Sequence, residues 1–224
     1  MMADFSEQRA TMVEGQLRTT DVTHVPLLNA MREIPREEFV PSRRRALAYI
    51  DEDLEVAPAS VGSPARYLME PSPFAKLVQL ADISPSDFVL DIGCGTGYSS
   101  AVFSRIASSV VALESDPALA EAASSTLSEL GCDNVAVVQG PLQEGYASEA
   151  PYDVIFIGGA VEIMPDVILD QLKDGGRLVA VVGQGNAGVA RLYVKDSGIV
   201  SSRRAFNAAV KPLPGFEREA SFVF

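Results

Sequence analysis

The apolar residues of this chain follow two rhythms in turn. Across residues 4–48 they recur near helical spacing. Phe5, Met12, Val13 and Leu17 in FSEQRATMVEGQLR predict one helix, and VPLLNAMREI predicts another that opens at a proline suited to a first turn. Pro35 and Pro41 then break the pattern. Residues 51–70, DEDLEVAPASVGSPARYLME, show no period. Their prolines, glycine and small polar residues predict one long loop, of the kind that either covers a sheet or serves a site. From Pro71 onward the pattern alternates. PSPFAKLVQLADI, YSSAVFSRIASS, PALAEAASSTLSELG and MPDVILDQLKDGG predict helices, the third stopped by Gly131 and the last by paired glycines. FVLDIG, VVALE, NVAVVQG, YDVIFIGGA and RLVAVVG are short apolar strands between and after them. The tail, from ARLYVKDSGIV to SFVF, lacks a helical period and predicts antiparallel strands at one sheet edge. The predicted architecture is α/β: a doubly wound, mostly parallel sheet with antiparallel C-terminal edge strands and an N-terminal helical extension. Residues 1–70 form the helical segment and loop, packed on a main domain of residues 71–224.

Composition narrows the function classes. The chain has 224 residues, 47% apolar and 21% charged, which suits one large domain with a real core. Its formal net charge of -12 repels phosphate backbones, so nucleic acid is not an expected partner. The basic run Arg43-Arg44-Arg45 sits on a predicted helix and reads as a solvated face. Cys94 and Cys132 form no disulfide framework and no metal-ligand spacing, which suits a reducing cytoplasm and predicts no metal. The N-terminus has no apolar core of a signal peptide, and no apolar run is long enough to span a bilayer. His24, the single histidine, is expected to be structural.

Two glycine loops compete for a ligand. GQGNAG, Gly183 to Gly188, matches the dinucleotide fingerprint, yet the adjoining VARLYVKD reads as strand. Without a helix N-terminus there are no converging amides to hold a pyrophosphate, and a loop between antiparallel strands is the expectation. VLDIGCGTGYSS carries Gly93, Gly95 and Gly97, comes after the first strand of the alternating region, and opens a helix. Glu114, 21 residues after Gly93, ends the next strand, where a carboxylate can accept ribose hydroxyls. Asp91 at the strand end, with little positive charge nearby, suits a ligand bearing an amino group.

The combination D-x-G-x-G-x-G with an acid ending the second strand resembles the cofactor loop of S-adenosylmethionine-dependent methyltransferases. That resemblance implies a Rossmann-like methyltransferase fold, with S-adenosyl-L-methionine held by Asp91, Gly93, Cys94, Gly95, Thr96, Gly97, Glu114, Ser115, Pro141 and Leu142. The N-terminal half is more specific. Met12-Val13-Glu14 with Gln16-Leu17, the run Pro35-Arg36-Glu37-Glu38-Phe39-Val40-Pro41, and Ala48-Tyr49 before an acid resemble protein-L-isoaspartate O-methyltransferases. QLKDGGRLVAVVG and VKPLPG extend the likeness over most of the chain. The resemblance implies methylation of the free carboxylate of L-isoaspartyl residues in damaged proteins or peptides. An ionised carboxylate needs no general base, which fits a chain without a nucleophile constellation.

Two departures stand out. Where the family carries T-I-S-Q-P, this chain has Tyr67-Leu68-Met69-Glu70-Pro71, so Met69 stands at the catalytic serine position and cannot donate a hydrogen bond. Glu70 adds a charge that repels an anionic acceptor, and Arg66 and Ser72 are the neighbours that could compensate. Where the family has G-D-G, this chain has Gly140-Pro141-Leu142, without the aspartate expected near adenine. The alternatives are another carboxylate or small-molecule acceptor, or a cofactor-binding protein without isoaspartyl activity. Sequence leaves the oligomeric state open.

Overall fold

Strands buried on both faces can be apolar at every position, but successive side chains still point to opposite sides. That alternation organises the molecule. The computed structural model describes residues 4–61 and 63–218. Its central sheet joins β3 (Phe88–Ile92), β4 (Ser109–Glu114), β5 (Val135–Gln139), β6 (Tyr152–Val161), β7 (Leu172–Val182), β8 (Val189–Asp196) and β9 (Ile199–Asn207) in the order β5-β4-β3-β6-β7-β8-β9. β3 to β7 pair in parallel, and β8 and β9 are antiparallel at one edge. Val89, Val110, Ala112, Val154, Phe156, Val179 and Val181 point to one face. There they pack with α1 (Phe5–Met12), α2 (Val25–Glu33), α3 (Pro71–Ala81), α4 (Tyr98–Phe103) and α5 (Pro117–Glu129) in one continuous core. Leu90, Ile92, Val111, Leu113, Ile155, Ile157 and Leu178 point the other way. That face is closed by α6 (Asp166–Asp170), Leu142 and the returning tail residues Leu213 and Phe216.

Local chemistry sets the helix ends. Asp4 caps α1 by accepting from the backbone N–H groups of Ser6 and Glu7. Asp116 does the same for α5, whose first residue is Pro117. α1 passes into a π-helical turn at Val13–Leu17, where the sequence predicted one unbroken helix. α4 is shorter than the predicted YSSAVFSRIASS helix because Ser104 turns its hydroxyl back onto the Ala101 carbonyl at 2.7 Å. The glycine pair after Asp174 belongs to β7 rather than to a helix end.

Two expectations need correction. The predicted loop of residues 51–70 contains an antiparallel pair, β1 (Leu54–Ala57) and β2 (Arg66–Leu68), with Leu54 opposite Leu68. The strands are so short that flanking prolines hide their alternation. The tail forms β8 and β9 but then leaves the sheet edge. Residues 208–218 return across the carboxyl ends of the strands, where Ala160 N–H donates to Lys211 O and Leu213 N–H donates to Ala160 O, both at 2.9 Å. The terminal SFVF lies outside the described residues. GQGNAG is the connection between antiparallel β7 and β8. Arg43 and Arg44 share Glu55, and Arg45 pairs with Glu38, so two of the three charges of the basic run are offset locally.

Candidate functional site

β3 and β6 are neighbours, but the connections after them run to opposite sides of the sheet. Such a switch point opens a crevice beyond the carboxyl ends of the strands. The loop Gly93 to Gly97 lines it. Gly95 has φ +58, and an added Cβ would meet nothing within 4 Å, so its backbone faces open space. Asp91 is fully buried at the end of β3. Its Oδ2 accepts from Ser99 Oγ at 2.6 Å and Ser100 Oγ at 2.5 Å, while Oδ1 has no partner. Burial pushes the Asp91 carboxyl up to about 6, against the pull of the two serines, and the nearby Glu114 charge adds to the rise. An orphaned carboxylate oxygen in a buried site is an acceptor waiting for a donor.

Glu114 ends β4 and is also fully buried. Its Oε1 accepts from the backbone N–H of Ser115 at 2.8 Å and of Asp116 at 3.0 Å, and its Oε2 from Gly95 N–H at 2.8 Å. Arg66 completes the set as a fork, Nη1 to Oε1 at 2.5 Å and Nη2 to Oε2 at 2.8 Å. The sequence placed Arg66 with the acceptor loop and Glu114 with the cofactor; the fold brings the two together.

Met69, Tyr67 and Cys94 line a crevice of about 20 Å³ with Phe74, Tyr98 and Phe156. A space of that size holds little more than a water molecule. Burial pushes the Cys94 thiol well above its usual range. A smaller pocket beside it, lined by Arg66, Tyr67, Met69 and Lys211, places the Lys211 ammonium 5.4 Å from the Tyr67 ring centre. An open depression of about 250 Å³ lies on the other side of Arg66, beside Ser115, Asp116 and Pro214. Glu70 is partly exposed; burial, then Asp53, Asp51 and Glu52, push its carboxyl up to about 7. Pro71 starts α3.

Other predicted residues are engaged elsewhere. Ser72 Oγ lies 2.9 Å from Thr20 Oγ1 and points to the N-terminal helices. Thr96 Oγ1 donates to Phe39 O at 2.7 Å, tying the loop to that segment. Pro141 is exposed, and Leu142 is packed in the core. His24 precedes α2, and its backbone N–H donates to Gln79. Among the described residues no group of three or more His, Cys, Asp or Glu could hold a metal ion, and no helix is long and apolar enough to cross a membrane.

Sequence reasoning missed two residues. Arg36 is completely buried, donates from Nε to Ala48 O at 2.8 Å and from Nη2 to Met69 O at 2.7 Å, and lies 4.8 Å over the Tyr98 ring. It holds the Met69 segment from behind. Its place in the PREEFVP run was the available signal. Lys211 lies in the VKPLPG string, but only the returning tail brings it to the site.

The family model for protein-L-isoaspartate(D-aspartate) O-methyltransferase matches residues 7–216. A protein-L-isoaspartate O-methyltransferase of Koribacter versatilis is 35% identical over 214 residues, covering 96% of this chain and 94% of that protein. One of Methanoculleus marisnigri is 35% identical over 208 residues, 93% of this chain and 92% of that protein. A solved protein-L-isoaspartate O-methyltransferase superposes with TM-score 0.79 at 28% identity, over 92% of this chain and 66% of that one. A solved Plasmodium falciparum protein, described as a putative member in complex with S-adenosyl-L-homocysteine, shares the fold with TM-score 0.74 at 17% identity, over 91% of this chain and 96% of that one. The chain belongs to the protein-L-isoaspartate (D-aspartate) O-methyltransferase family.

Proposed function

We propose that this chain transfers a methyl group from S-adenosyl-L-methionine to the free carboxylate of L-isoaspartyl residues in damaged proteins. The observation that carries this reading is the pair of buried acids, Asp91 and Glu114, at adjacent strand ends around the open backbone of Gly95. The free Oδ1 of Asp91 suits an ammonium group, and the Glu114 carboxylate suits a ribose diol. When bound, the cofactor supplies an electrophilic sulfonium methyl. The protein then has to align an already ionised oxygen and exclude water, which is work for positioning rather than for a base. Arg36, anchored on the Met69 carbonyl, fixes the acceptor segment against the crevice. The buried thiols of Cys94 and Cys132 are free and suit a reducing cytoplasm.

Calorimetry with S-adenosyl-L-homocysteine and labelled-methyl transfer to an isoaspartyl peptide test this reading, with the aspartyl peptide as control. Ester formed on the isoaspartyl peptide alone is the expected result. Failure to bind the nucleoside rejects the reading outright. One observation favours a second acceptor: Met69 offers no hydrogen-bond donor, and Ser72 is engaged with Thr20. If binding is sound but the peptide is inert, a Met69→Ser, Glu70→Gln double variant should gain peptide activity. No gain would point to another carboxylate.

A further inference from the structure

Counting acceptor sites exposes a conflict at Glu114. A carboxylate offers about four lone-pair positions. Backbone N–H groups of Gly95, Ser115 and Asp116 take three, and the Arg66 fork takes two more contacts. The Glu114 carboxylate is therefore saturated, and a ribose diol can reach it only if Arg66 leaves. The same side chain lines both the open depression beside Ser115 and Asp116 and the small pocket beside Met69 and Lys211, and so stands between them. A ligand extending from one to the other must pass it. The ion pair is buried, 7% and 0% exposed, so the displaced cation needs a new anionic partner close at hand. Arg66 sits on the short strand β2, within three residues of Met69, and lines the pocket that also holds Lys211.

We propose that Arg66 is the receptor for the acceptor carboxylate, stored on Glu114 until cofactor ribose takes its place. The proposal rests on the reading of Glu114 given above. Released from Glu114, the guanidinium turns to the Met69–Lys211 side and binds the incoming carboxylate. A planar fork matches a carboxylate with two parallel bonds, a geometry that Met69 cannot supply. Binding is therefore ordered: the acceptor site is complete only after the cofactor is in place.

The test is calorimetry of S-adenosyl-L-homocysteine with the full chain and with Arg66→Gln. The variant no longer has an internal competitor, so it should bind the nucleoside about tenfold more tightly. At saturating cofactor its KM for an isoaspartyl peptide should rise about tenfold, and Arg66→Lys should recover part of that loss by restoring the charge. Equal or weaker nucleoside binding by Arg66→Gln overturns the proposal, the weaker case meaning that Arg66 holds the cofactor itself. Silence from both proteins instead removes the cofactor reading. A variant-free check uses a dye-labelled isoaspartyl peptide and the unaltered chain. Anisotropy should rise only with S-adenosyl-L-homocysteine present; an equal rise without it, or none in either condition, overturns the stored-receptor scheme.

Discussion

Replacing Arg36 by methionine separates two opposed effects of one buried cation. The side chain is completely buried and is held by carbonyl oxygens and a ring face; among the described residues no carboxylate lies within ion-pair distance of it. Burial accordingly lowers its pKa. Arg36→Met keeps most of the apolar stem. It removes two charge-assisted hydrogen bonds, each contributing roughly 1.5–3 kcal/mol. It also removes the stacking over Tyr98, roughly 0.5–2 kcal/mol. Against that loss stands relief from desolvating an unpaired cation, worth several kcal/mol in principle. The carbonyls of Ala48 and Met69 decide the sign. Both would be left without this donor in a dry interior, where no water replaces it, so the loss of those two bonds is felt in full. The net expectation is a loss of about 2–4 kcal/mol, or a fall in Tm of about 5–15 °C for a domain of this size. Thermal and urea unfolding followed by circular dichroism would read it. The acceptor KM should rise as well, because the Met69 carbonyl loses its anchor. A variant as stable as the parent, or more so, would refute the reasoning: desolvation would then outweigh the bonds, and Arg36 would not be a strut.

The geometry sets three further outcomes. Glu70 has a folded-state pKa of about 7 against an ordinary 4.5, so the folded chain holds this proton more tightly and loses stability as pH rises through that window. Glu70→Gln should flatten the change of Tm between about pH 5 and 8; an unchanged slope would place the effect elsewhere. An added Cβ at Gly158 would lie 2.9 Å from Gly93 O and 3.3 Å from Ile92 O, both backbone atoms that cannot turn aside. Gly158→Ala should cost about 1–3 kcal/mol in urea unfolding and weaken S-adenosyl-L-homocysteine binding by shifting the loop; a neutral variant would show that β3 and β6 are not locked together there. Cys94 and Cys132 are 5% and 3% exposed, so a disulfide reagent should titrate neither in the native protein and both in denaturant. Rapid native labelling of either would contradict the packing.

The sequence alone carried the alternation of strands and helices from Pro71 onward, and with it the parallel sheet and the place of the Gly93–Gly97 loop. These depend on short-range periodicity and turn chemistry, which are written locally. It also carried the rejection of GQGNAG, because the residues after that loop have strand character. The family was legible in strings such as PREEFVP, although not what they do: Arg36 acts through the Met69 carbonyl, 33 residues away in sequence. Tertiary structure alone decided the rest. It paired β1 with β2 inside the predicted loop, brought the tail back so that Lys211 and Leu213 line the small pocket beside Met69, turned Leu142 into core and spent Ser72 on Thr20. Above all it set Arg66 on Glu114, 48 residues apart. Local pattern fixes which face a side chain points to, but which distant charge it meets depends on how whole elements stack, and a buried cation and anion find each other only when that stacking excludes water.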